Sequence, residues 1–366
     1  MIINTTREML LGPLLQINGV VERRQTLPIL ANVLIQCQSD QLTLIATDLE
    51  VEIQTTMPAE CSEAREITLP ARKLLDICKA LPEGLDISIN VEKERALLRA
   101  GRGRYSLGIL PATEYPAIES HDSLQQISIP ENRFKQLLDK TAFAMAQQDV
   151  RYYLNGLLLE ITQDRARAVS TDGHRLALCD VAIQLDSGEH HKIILPRKAV
   201  LEFGRMLTES DEPVTISLSS NHVRFQRSNT VFTSKLIDGN FPDYERVIPA
   251  PGGSVMEVST DLLKQALQRA AILSNEKYRG IRFSFNENAL TLTASNPEHD
   301  EAEEILEVAY DGDEMSIGFN VGYVLDALNA IDTEEVHFVL SDPGSSSVLT
   351  NKDRDDCLYV IMPMRL

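Results

Sequence analysis

LTLIATDLE, residues 42–50, returns twice in this 366-residue chain, as RAVSTDGHR at 167–175 and as LTLTASNPE at 290–298. The pivot pairs of the three segments are Thr47-Asp48, Thr171-Asp172 and Ser295-Asn296, and both spacings are 124 residues. Two equal periods of this length predict three tandem copies of one structural unit.

Two further sets of segments keep the same order along the chain. LPARKLLDICKAL at 69–81, LPRKAVLEFGRML at 195–207 and FNVGYVLDALNAI at 319–331 each predict an extended entry followed by an amphipathic helix. YSLGILPATEYP at 105–116, FTSKLIDGNFPDY at 232–244 and LYVIMPMRL at 358–366 each predict an alternating strand that ends at a proline or turn.

Each copy therefore predicts two helices and about eight strands, which is an α+β arrangement. The leading helices are expected near residues 6–18, 131–144 and 260–273. The polar stretch near 122–126 and the segment IPAPGGS at 248–254 suit boundaries between copies. We expect three domains, at residues 1–124, 125–252 and 253–366.

Composition predicts a globular protein with an acidic surface. The chain is 43% hydrophobic and carries a formal net charge of -19. Its five cysteines are an odd set without a C-x-x-C pair, which argues against a disulfide framework or a zinc ribbon and favours buried thiols in a reduced cytosol. Neither a basic leader nor a long apolar run appears, so we expect a soluble cytoplasmic protein with no membrane partner.

The segment STDGHRLA at 170–177 raises the alternative of an enzyme, a hydrolase or nuclease that uses Asp172 and His174. Asp48 and Asn296 occupy the place of Asp172 in the other copies, which favours a tight turn in which Gly173 takes positive φ. The chain also lacks a phosphate-binding loop, an H-E-x-x-H motif and a G-x-S-x-G motif. We therefore predict no catalytic site, metal or cofactor.

Positive charge is concentrated on the predicted helices, although the chain as a whole is acidic. The six helical segments together carry a net positive formal charge, and NEKYRGIR at 275–282 adds three cations around an aromatic residue. No motif that reads bases accompanies them, so any contact with DNA would be to phosphates and independent of sequence. A monomeric peptide-binding scaffold that does not bind DNA is a second alternative.

The chain resembles the bacterial DNA polymerase III beta subunit family, the beta sliding clamps, from end to end. The resemblance is carried by TLPIL, ATDLE, QDVRYYLNG, STDGHRLA, LPRK, FTSKLIDGNFPDY, AILSNEKYRGIR, FNVGYVLDALNA and VIMPMRL. It implies a non-catalytic homodimer whose protomers close head to tail into a ring around duplex DNA, with helices lining the inner face and antiparallel sheets on the outer rim. The implied partners are the replicative polymerase, a clamp-loader ATPase, and other polymerases and repair proteins that bind through a short linear peptide.

Helix charge and the resemblance together assign three sets of site residues. The expected DNA-binding residues are Arg24, Arg72, Lys73, Lys79, Gln148, Arg151, Arg197, Lys198, Arg205, Lys277, Tyr278, Arg279 and Arg282. For Arg151 the alternative is a buried loop arginine. The resemblance implies a peptide-binding groove at Leu154, Thr171, Gly173, His174, Arg175, Leu176, Pro242, Arg246, Val247, Asn320, Tyr323, Ser346, Val360, Met362, Pro363, Met364, Arg365 and Leu366. For the terminal residues, Val360 above all, the alternative is burial as the last strand of the third copy's core. Gly344 departs from the family, which has a larger apolar residue near this groove, so one wall is expected to be shallower.

The dimer interface is expected where opposite charges lie at opposite ends of the chain. A basic block in the first copy faces an acidic block in the third, and the resemblance adds two apolar contacts from the third copy. The expected interface residues are Arg102, Arg104, Tyr105, Leu107, Ile272, Leu273, Glu301, Glu303 and Glu304. The alternative reading of 298–304 is a solvated acidic turn.

Overall fold

Helices form where apolar residues recur at helical spacing, and strands form where they alternate with polar ones. The computed structural model describes residues 1–21, 27–38, 40–116, 118, 125–185, 190–250 and 252–365. The α-helices of these described residues are α1 Arg7–Ile17, α2 Ala71–Ala80, α3 Glu131–Thr141, α4 Arg197–Met206, α5 Thr260–Ala271 and α6 Val321–Ala330. Two helices fall in each copy at the predicted places, which confirms the predicted α+β class.

The strands follow the repeat in the same way. Those of the first copy are β1 Ile2–Thr6, β2 Asn32–Gln38, β3 Gln41–Thr47, β4 Val51–Pro58, β5 Glu60–Cys61, β6 Arg65–Pro70, β7 Asp86–Glu92, β8 Arg95–Ala100 and β9 Gly103–Gly108. Those of the second are β10 Gln125–Pro130, β11 Gly156–Ile161, β12 Arg165–Thr171, β13 Arg175–Ala182, β14 His191–Pro196, β15 Pro213–Leu218, β16 His222–Arg227 and β17 Thr230–Lys235. Those of the third are β18 Ser254–Ser259, β19 Gly280–Asn286, β20 Ala289–Ser295, β21 Glu301–Glu307, β22 Met315–Asn320, β23 Glu335–Leu340, β24 Ser347–Asn351 and β25 Cys357–Ile361.

Alternation along a strand decides which face meets the core. In β4 the buried positions are Val51, Ile53, Thr55 and Met57, while the residues between them are half-buried. Successive side chains of a strand point to opposite faces, so one face of β4 is apolar and packs inside. The same period places Leu42, Leu44 and Ala46 of β3 in the core.

The described residues form two compact units. The first comprises Met1–Asn132 and Leu201–Leu236, and it contains the sheets β5-β1-β7-β8-β9 and β10-β15-β16-β17-β4-β3-β2-β6. The second comprises Arg133–Val200 and Ile237–Leu366, and it contains the sheets β14-β11-β12-β13-β25-β24-β23-β18 and β21-β20-β19-β22. Every strand ladder between described residues is antiparallel, as expected for the predicted sheets.

Each eight-stranded sheet takes strands from two successive copies. In the first unit β17 pairs with β4, and Phe232 lies opposite Ile53. In the second unit β13 pairs with β25, and Leu176 lies opposite Val360. Compact units therefore do not coincide with repeats, because backbone hydrogen bonds tie each half of the second copy to a different neighbour. The domain boundaries near 124 and 252 stay a prediction.

Two cysteines depart from the expectation of free thiols. A disulfide joins Cys179 of β13 to Cys357 of β25 although 178 residues separate them. The two residues are direct partners in the strand register, which no local spacing in the sequence reveals. The expectation was wrong for this pair. Cys37 and Cys78 are buried free thiols, as predicted, and burial raises the pKa of Cys78 to about 11.

Among the described residues, the helices fall short of the length and apolarity that a bilayer crossing requires.

Candidate functional site

The turn between β12 and β13 forms because its side chains bond to its own backbone. Asp172 Oδ1 accepts hydrogen bonds from His174 N at 2.9 Å and from Arg175 N at 3.1 Å. Thr171 Oγ1 donates to Arg175 O at 2.6 Å and accepts from Gly173 N at 3.1 Å. Gly173 has φ +89°, a conformation that glycine adopts without steric cost.

The first copy builds the same turn from different residues. Asp48 Oδ1 accepts from Glu50 N at 2.9 Å and from Val51 N at 2.7 Å, and Thr47 Oγ1 donates to Val51 O at 2.9 Å. In the third copy the side-chain oxygen of Asn296 plays the corresponding role, since its Oδ1 accepts a hydrogen bond from Asp300 N at 2.8 Å. The prediction of a tight turn at Asp172 is confirmed, because the acceptor oxygen serves the backbone in every copy.

Arg175 fixes this turn against helix α6. Its Nε lies 3.1 Å from Asp172 Oδ2 and its Nη1 lies 2.6 Å from Asp326 Oδ2. Its Nη2 donates to Phe143 O at 2.8 Å, and its guanidinium carbon is 4.5 Å from the ring centre of Tyr323. These partners within the chain hold Arg175 and the turn in place.

An apolar cavity of about 180 Å³ opens beside the turn. Leu154, Leu176 and Val360 form buried parts of its wall, while Val247 and Met362 are about two-fifths exposed at its rim. The full lining is Arg151, Leu154, Thr171, Gly173, Arg175, Leu176, Pro242, Asp243, Tyr244, Val247, Val360 and Met362. An apolar concave site with a few polar groups at its edge suits an extended apolar peptide or a small ligand.

The cavity floor belongs to the hydrophobic core of the second unit. Val360, Leu176 and Tyr244 pack in one cluster with Leu158 and Val348. Val360 is 2% exposed, so it both completes the core and lines the cavity. The two readings of Val360, groove wall and core strand, are therefore compatible.

The C-terminal segment runs on from this cavity. Met362 N donates to His174 O at 3.0 Å, and Met364 N donates to Gly318 O at 2.8 Å. Pro363 and Met364 are half-buried and Arg365 is exposed. Leu366 lies outside the described residues.

The remaining residues of the predicted groove lie near its edges. Asn320 Oδ1 caps helix α6 by accepting from Gly322 N at 2.9 Å, and its Nδ2 donates to Tyr278 O at 3.3 Å. The ring centres of His174 and Tyr323 are 6.4 Å apart. Arg246 is exposed in an ion pair with Asp243 at 2.6 Å, and Ser346 is half-buried. Asn320 therefore has a structural task in addition to any contact with a ligand.

Arg151 was expected to face DNA, and the structure places it in the cavity wall. Its Nη2 lies 2.8 Å from Asp149 Oδ2, and its guanidinium covers the Cα of Gly173 so closely that a Cβ there would be 3.0 Å away. The hydrogen bond from Arg151 lowers the pKa of Asp149 to about 2. Gln148, three residues earlier, is exposed with φ 58°.

The cations of the helices that were predicted to bind DNA differ in their exposure and in whether they have a bonding partner. Lys73 and Lys79 of α2 are exposed, whereas Arg72 donates to Val21 O at 3.0 Å. At the start of α4, Arg197 donates to Met145 O at 3.2 Å and Lys198 is half-buried; further along, Arg205 pairs with Glu202 at 2.6 Å. Arg24 lies outside the described residues. Among these helix cations, Lys73 and Lys79 are thus the exposed ones for which the described residues provide no partner.

A second cavity, of about 690 Å³, brings together members of all three predicted sets. Tyr278 and Arg282 come from the DNA set, Met364 and Arg365 from the peptide set, and Glu301 and Glu303 from the dimer set. Lys277 lies over the ring of Tyr278 at 5.2 Å, and Arg279 beside it is exposed.

The predicted dimer residues lie on two edge strands. β9 ends the five-stranded sheet and carries Arg104, Tyr105 and Leu107, with Arg102 just before it. β21 ends the four-stranded sheet and carries Glu301, Glu303 and Glu304. Leu107 is buried in its own sheet, and Glu304 is held by Arg269 at 2.7 and 2.6 Å. Ile272 is 77% exposed and Leu273 is half-buried.

Sequence reasoning missed several residues that the structure brings to these sites, including Asp243 in the cavity lining and the three that follow. Tyr244 lines the cavity, Asp326 anchors Arg175, and Ile305 is 66% exposed on the edge strand β21. Ile305 carried a signal, because this isoleucine directly follows the acidic block that was assigned to the dimer interface. Tyr244 and Asp326 carried none, since their partners are distant in the chain. Among the described residues, no His, Cys, Asp and Glu side chains are grouped to hold a metal ion.

Three family models cover nearly the whole chain. The DNA polymerase III beta subunit N-terminal domain matches residues 1–119, the central domain matches 128–243, and the C-terminal domain matches 245–365. Three tandem domains of helices and antiparallel sheets with this match define a sliding clamp, a non-catalytic processivity factor. The chain belongs to the DNA polymerase III beta subunit family. The alternative of an enzyme built on Asp172 and His174 is therefore wrong.

Individual relatives match this chain over nearly its full length. The chain is 51% identical to the beta sliding clamp of Pseudomonas aeruginosa over 361 residues and 48% identical to that of Escherichia coli, with 98% of each chain covered in both comparisons. A crystal structure of the P. aeruginosa DNA polymerase III beta subunit superimposes with a TM-score of 0.96 at 50% identity, and all of both chains is covered. A sliding clamp from the same organism has been crystallised bound to griselimycin, and it matches equally well, with a TM-score of 0.96 and 50% identity over all of both chains.

Proposed function

We propose that the chain is a ring-forming processivity clamp, in which two copies close head to tail around duplex DNA. The three domains at 1–124, 125–252 and 253–366 would form half of the ring, with helices inside and sheets outside. The ring would tether the replicative polymerase and other polymerases or repair proteins, and a clamp-loader ATPase would open it in the cytoplasm. The apolar cavity beside Asp172, in a chain of the clamp family, is the observation that carries the proposal.

The helix cations support a sliding contact with DNA. Lys73 and Lys79 project from α2 without a partner among the described residues, and Arg279 and Arg282 are exposed in the third copy. The chain has a net charge of -19, so it is not attracted to DNA as a whole. Isolated cations that meet phosphates bind weakly and without regard to sequence, which permits sliding.

The edge strands support head-to-tail closure. β9 and β21 are both at the end of a sheet, where unpaired backbone groups can accept another strand. Arg102 and Arg104 accompany the first edge, and Glu301 and Glu303 accompany the second. Two different edges of opposite charge fit a heterologous contact that closes into a ring.

The cavity supports partner binding through a short peptide. A related clamp has been crystallised with griselimycin, and we infer that this chain binds the same molecule in the cavity at Leu176 and Val360. A partner that holds the ring by a peptide stays at high local concentration near its template, so each rebinding is faster than escape.

Encirclement can be tested by loading the protein on nicked circular plasmid with its clamp loader and ATP. We expect the protein to stay with circular DNA through gel filtration in high salt, because a topological link does not depend on charge. Cutting the plasmid once with a restriction enzyme should release most of it within minutes. Equal retention on circular and linear DNA would contradict the ring.

A further inference from the structure

Residues 238–250 form one wall of the apolar cavity. They are held in place differently from the other residues that line it. This segment contributes Pro242, Asp243, Tyr244 and Val247 to the lining. Ile237 N still donates to Ile194 O at 3.0 Å, but no backbone hydrogen bond ties the described residues of 238–250 to a neighbouring element. The short 3₁₀ helix Tyr244–Val247 also lacks a side-chain cap. Side chains must therefore hold this wall.

Tyr244 is the buried polar side chain of this wall. Its ring is 6% exposed and packs in the core cluster beneath the cavity. Its hydroxyl donates to Glu160 Oε2 at 2.7 Å and accepts from Arg167 Nη1 at 3.2 Å. Burial raises the pKa of Tyr244 to about 12, so the phenol keeps its proton at neutral pH and can donate it in this bond.

The two partners of Tyr244 belong to a row of alternating charge across four strands. Lys192, Glu160, Arg167 and Asp180 are successive register partners on β14, β11, β12 and β13. Lys192 Nζ lies 2.5 Å from Glu160 Oε1. Arg167 donates a hydrogen bond to each carboxylate oxygen of Asp180, both at 2.7 Å. Opposite charges at directly opposed positions stabilise a sheet. The row thus holds the acceptor Glu160 and the donor Arg167 side by side, where both bond to the Tyr244 hydroxyl.

We propose that Tyr244 is a positioning residue for the peptide groove, held by Glu160 and Arg167 so that Pro242 and Val247 stand at the right distance from Leu176 and Val360. The hydroxyl does not touch the bound molecule. It fixes a wall that lacks backbone ties, and a fixed wall binds more tightly because less motion is lost on binding. The inference deepens the proposed function and rests on it.

Removing only the hydroxyl tests the idea, with griselimycin as the probe and calorimetry as the measurement. We expect Tyr244→Phe to weaken binding about tenfold, since the ring stays but its anchor is lost. Tyr359→Phe is the matched control. That tyrosine is also buried, its hydroxyl has no partner among the described residues, and its loss should change affinity less than twofold.

A second pair of variants separates positioning from general stability. Val169 lies in the same core cluster but not in the cavity lining, so Val169→Ala should lower the melting temperature and leave affinity within threefold. Glu160→Gln keeps an oxygen that can accept from Tyr244, so we expect it to lose less than Tyr244→Phe. In the Tyr244→Phe background the same substitution should add almost nothing, because the two groups act as a unit.

The possible results of these experiments distinguish a failure of the Tyr244 inference from a failure of the proposed peptide binding. Tyr244→Phe with affinity within twofold of the wild type would overturn the inference, as would Val169→Ala with a loss as large as that of Tyr244→Phe. A wild-type protein that fails to bind griselimycin would instead overturn the peptide-binding part of the proposed function. Retention on circular plasmid is independent of both results.

Discussion

Leu49 stands where the second copy has Gly173, and the two residues share a positive φ, 78° and 89°. The repeat therefore preserves the backbone path of the turn more faithfully than its sequence. At position 173 a side chain would press on the guanidinium of Arg151, so glycine is needed for space as well as conformation. At position 49 the backbone tolerates a left-handed leucine, which costs roughly 1–2 kcal/mol.

Relieving that strain should stabilise the protein. Asparagine adopts the left-handed region more readily than leucine. Leu49 is only 38% exposed, so the apolar burial that is lost offsets part of the gain. We expect Leu49→Asn to gain roughly 0.5–1 kcal/mol in the free energy of unfolding, measured with urea. Leu49→Ala removes the same contacts but keeps the strain, so it should be less stable than Leu49→Asn. Equal stability of the two variants would show that the turn is unstrained.

Glu131 illustrates a buried charge that depends on its partners. It is 1% exposed, Arg227 Nε lies 2.6 Å from its Oε2, and Thr208 Oγ1 donates to its Oε1 at 2.8 Å. Burial by itself raises the pKa of Glu131, but the bonds from Arg227 and Thr208 outweigh it and lower the pKa below the ordinary value. A lowered folded-state pKa means that ionised Glu131 stabilises the fold.

Because the folded-state pKa of Glu131 is lowered, the pH range over which it stabilises the fold is defined. The stabilisation is complete above the unfolded pKa of about 4.3 and is lost as pH falls through the lower folded pKa. Glu131→Gln should therefore be less stable than wild type at pH 7, by about 2 kcal/mol, and the difference should shrink below pH 4. Urea midpoints at pH 7, 5 and 3.5 measure this. Glu245→Gln, at an exposed position, is the control, and we expect only a small difference from wild type at pH 7.

At the scale of elements, β21 is the strand that the proposed dimer would cover. It ends its sheet, and Ile305 is 66% exposed in its middle. Ile272, 77% exposed at the end of α5, is a second exposed apolar side chain in the same unit. An unpaired edge with exposed isoleucine invites pairing with another chain. Acidic residues on either side would restrict that pairing to a basic edge.

The proposed dimer contact can be broken at this edge. Ile305→Lys buries a charge in the interface, so we expect a mass near the 40.8 kDa of one chain where the wild type has twice that mass. Multi-angle light scattering after gel filtration measures it. Leu262→Lys is the control, because Leu262 is 55% exposed on α5 and should not affect assembly. An unchanged mass for Ile305→Lys would remove β21 from the interface, and a wild type of single mass would favour the monomeric scaffold.

At the scale of the whole molecule, the sequence contains three copies of the repeat, but the chain folds into two compact units. Pairing of β4 with β17 and of β13 with β25 accounts for the difference. A repeat is recognised by its local pattern, whereas compactness follows the hydrogen bonds between strands. In the second unit the disulfide between Cys179 and Cys357 lies within the pair of strands that joins two copies.

The local pattern of residues was enough to predict the two helices of each copy, the tight turn at Asp172 and the family. These features depend on neighbours a few positions apart, through helical spacing, alternation and bonds from a side chain to its own turn. The tertiary structure alone decided that Cys179 meets Cys357, that Arg151 enters the cavity wall, and that Tyr244 docks on Glu160 and Arg167. Those contacts depend on strand register and on the docking of residues distant in the chain, which no short-range pattern encodes.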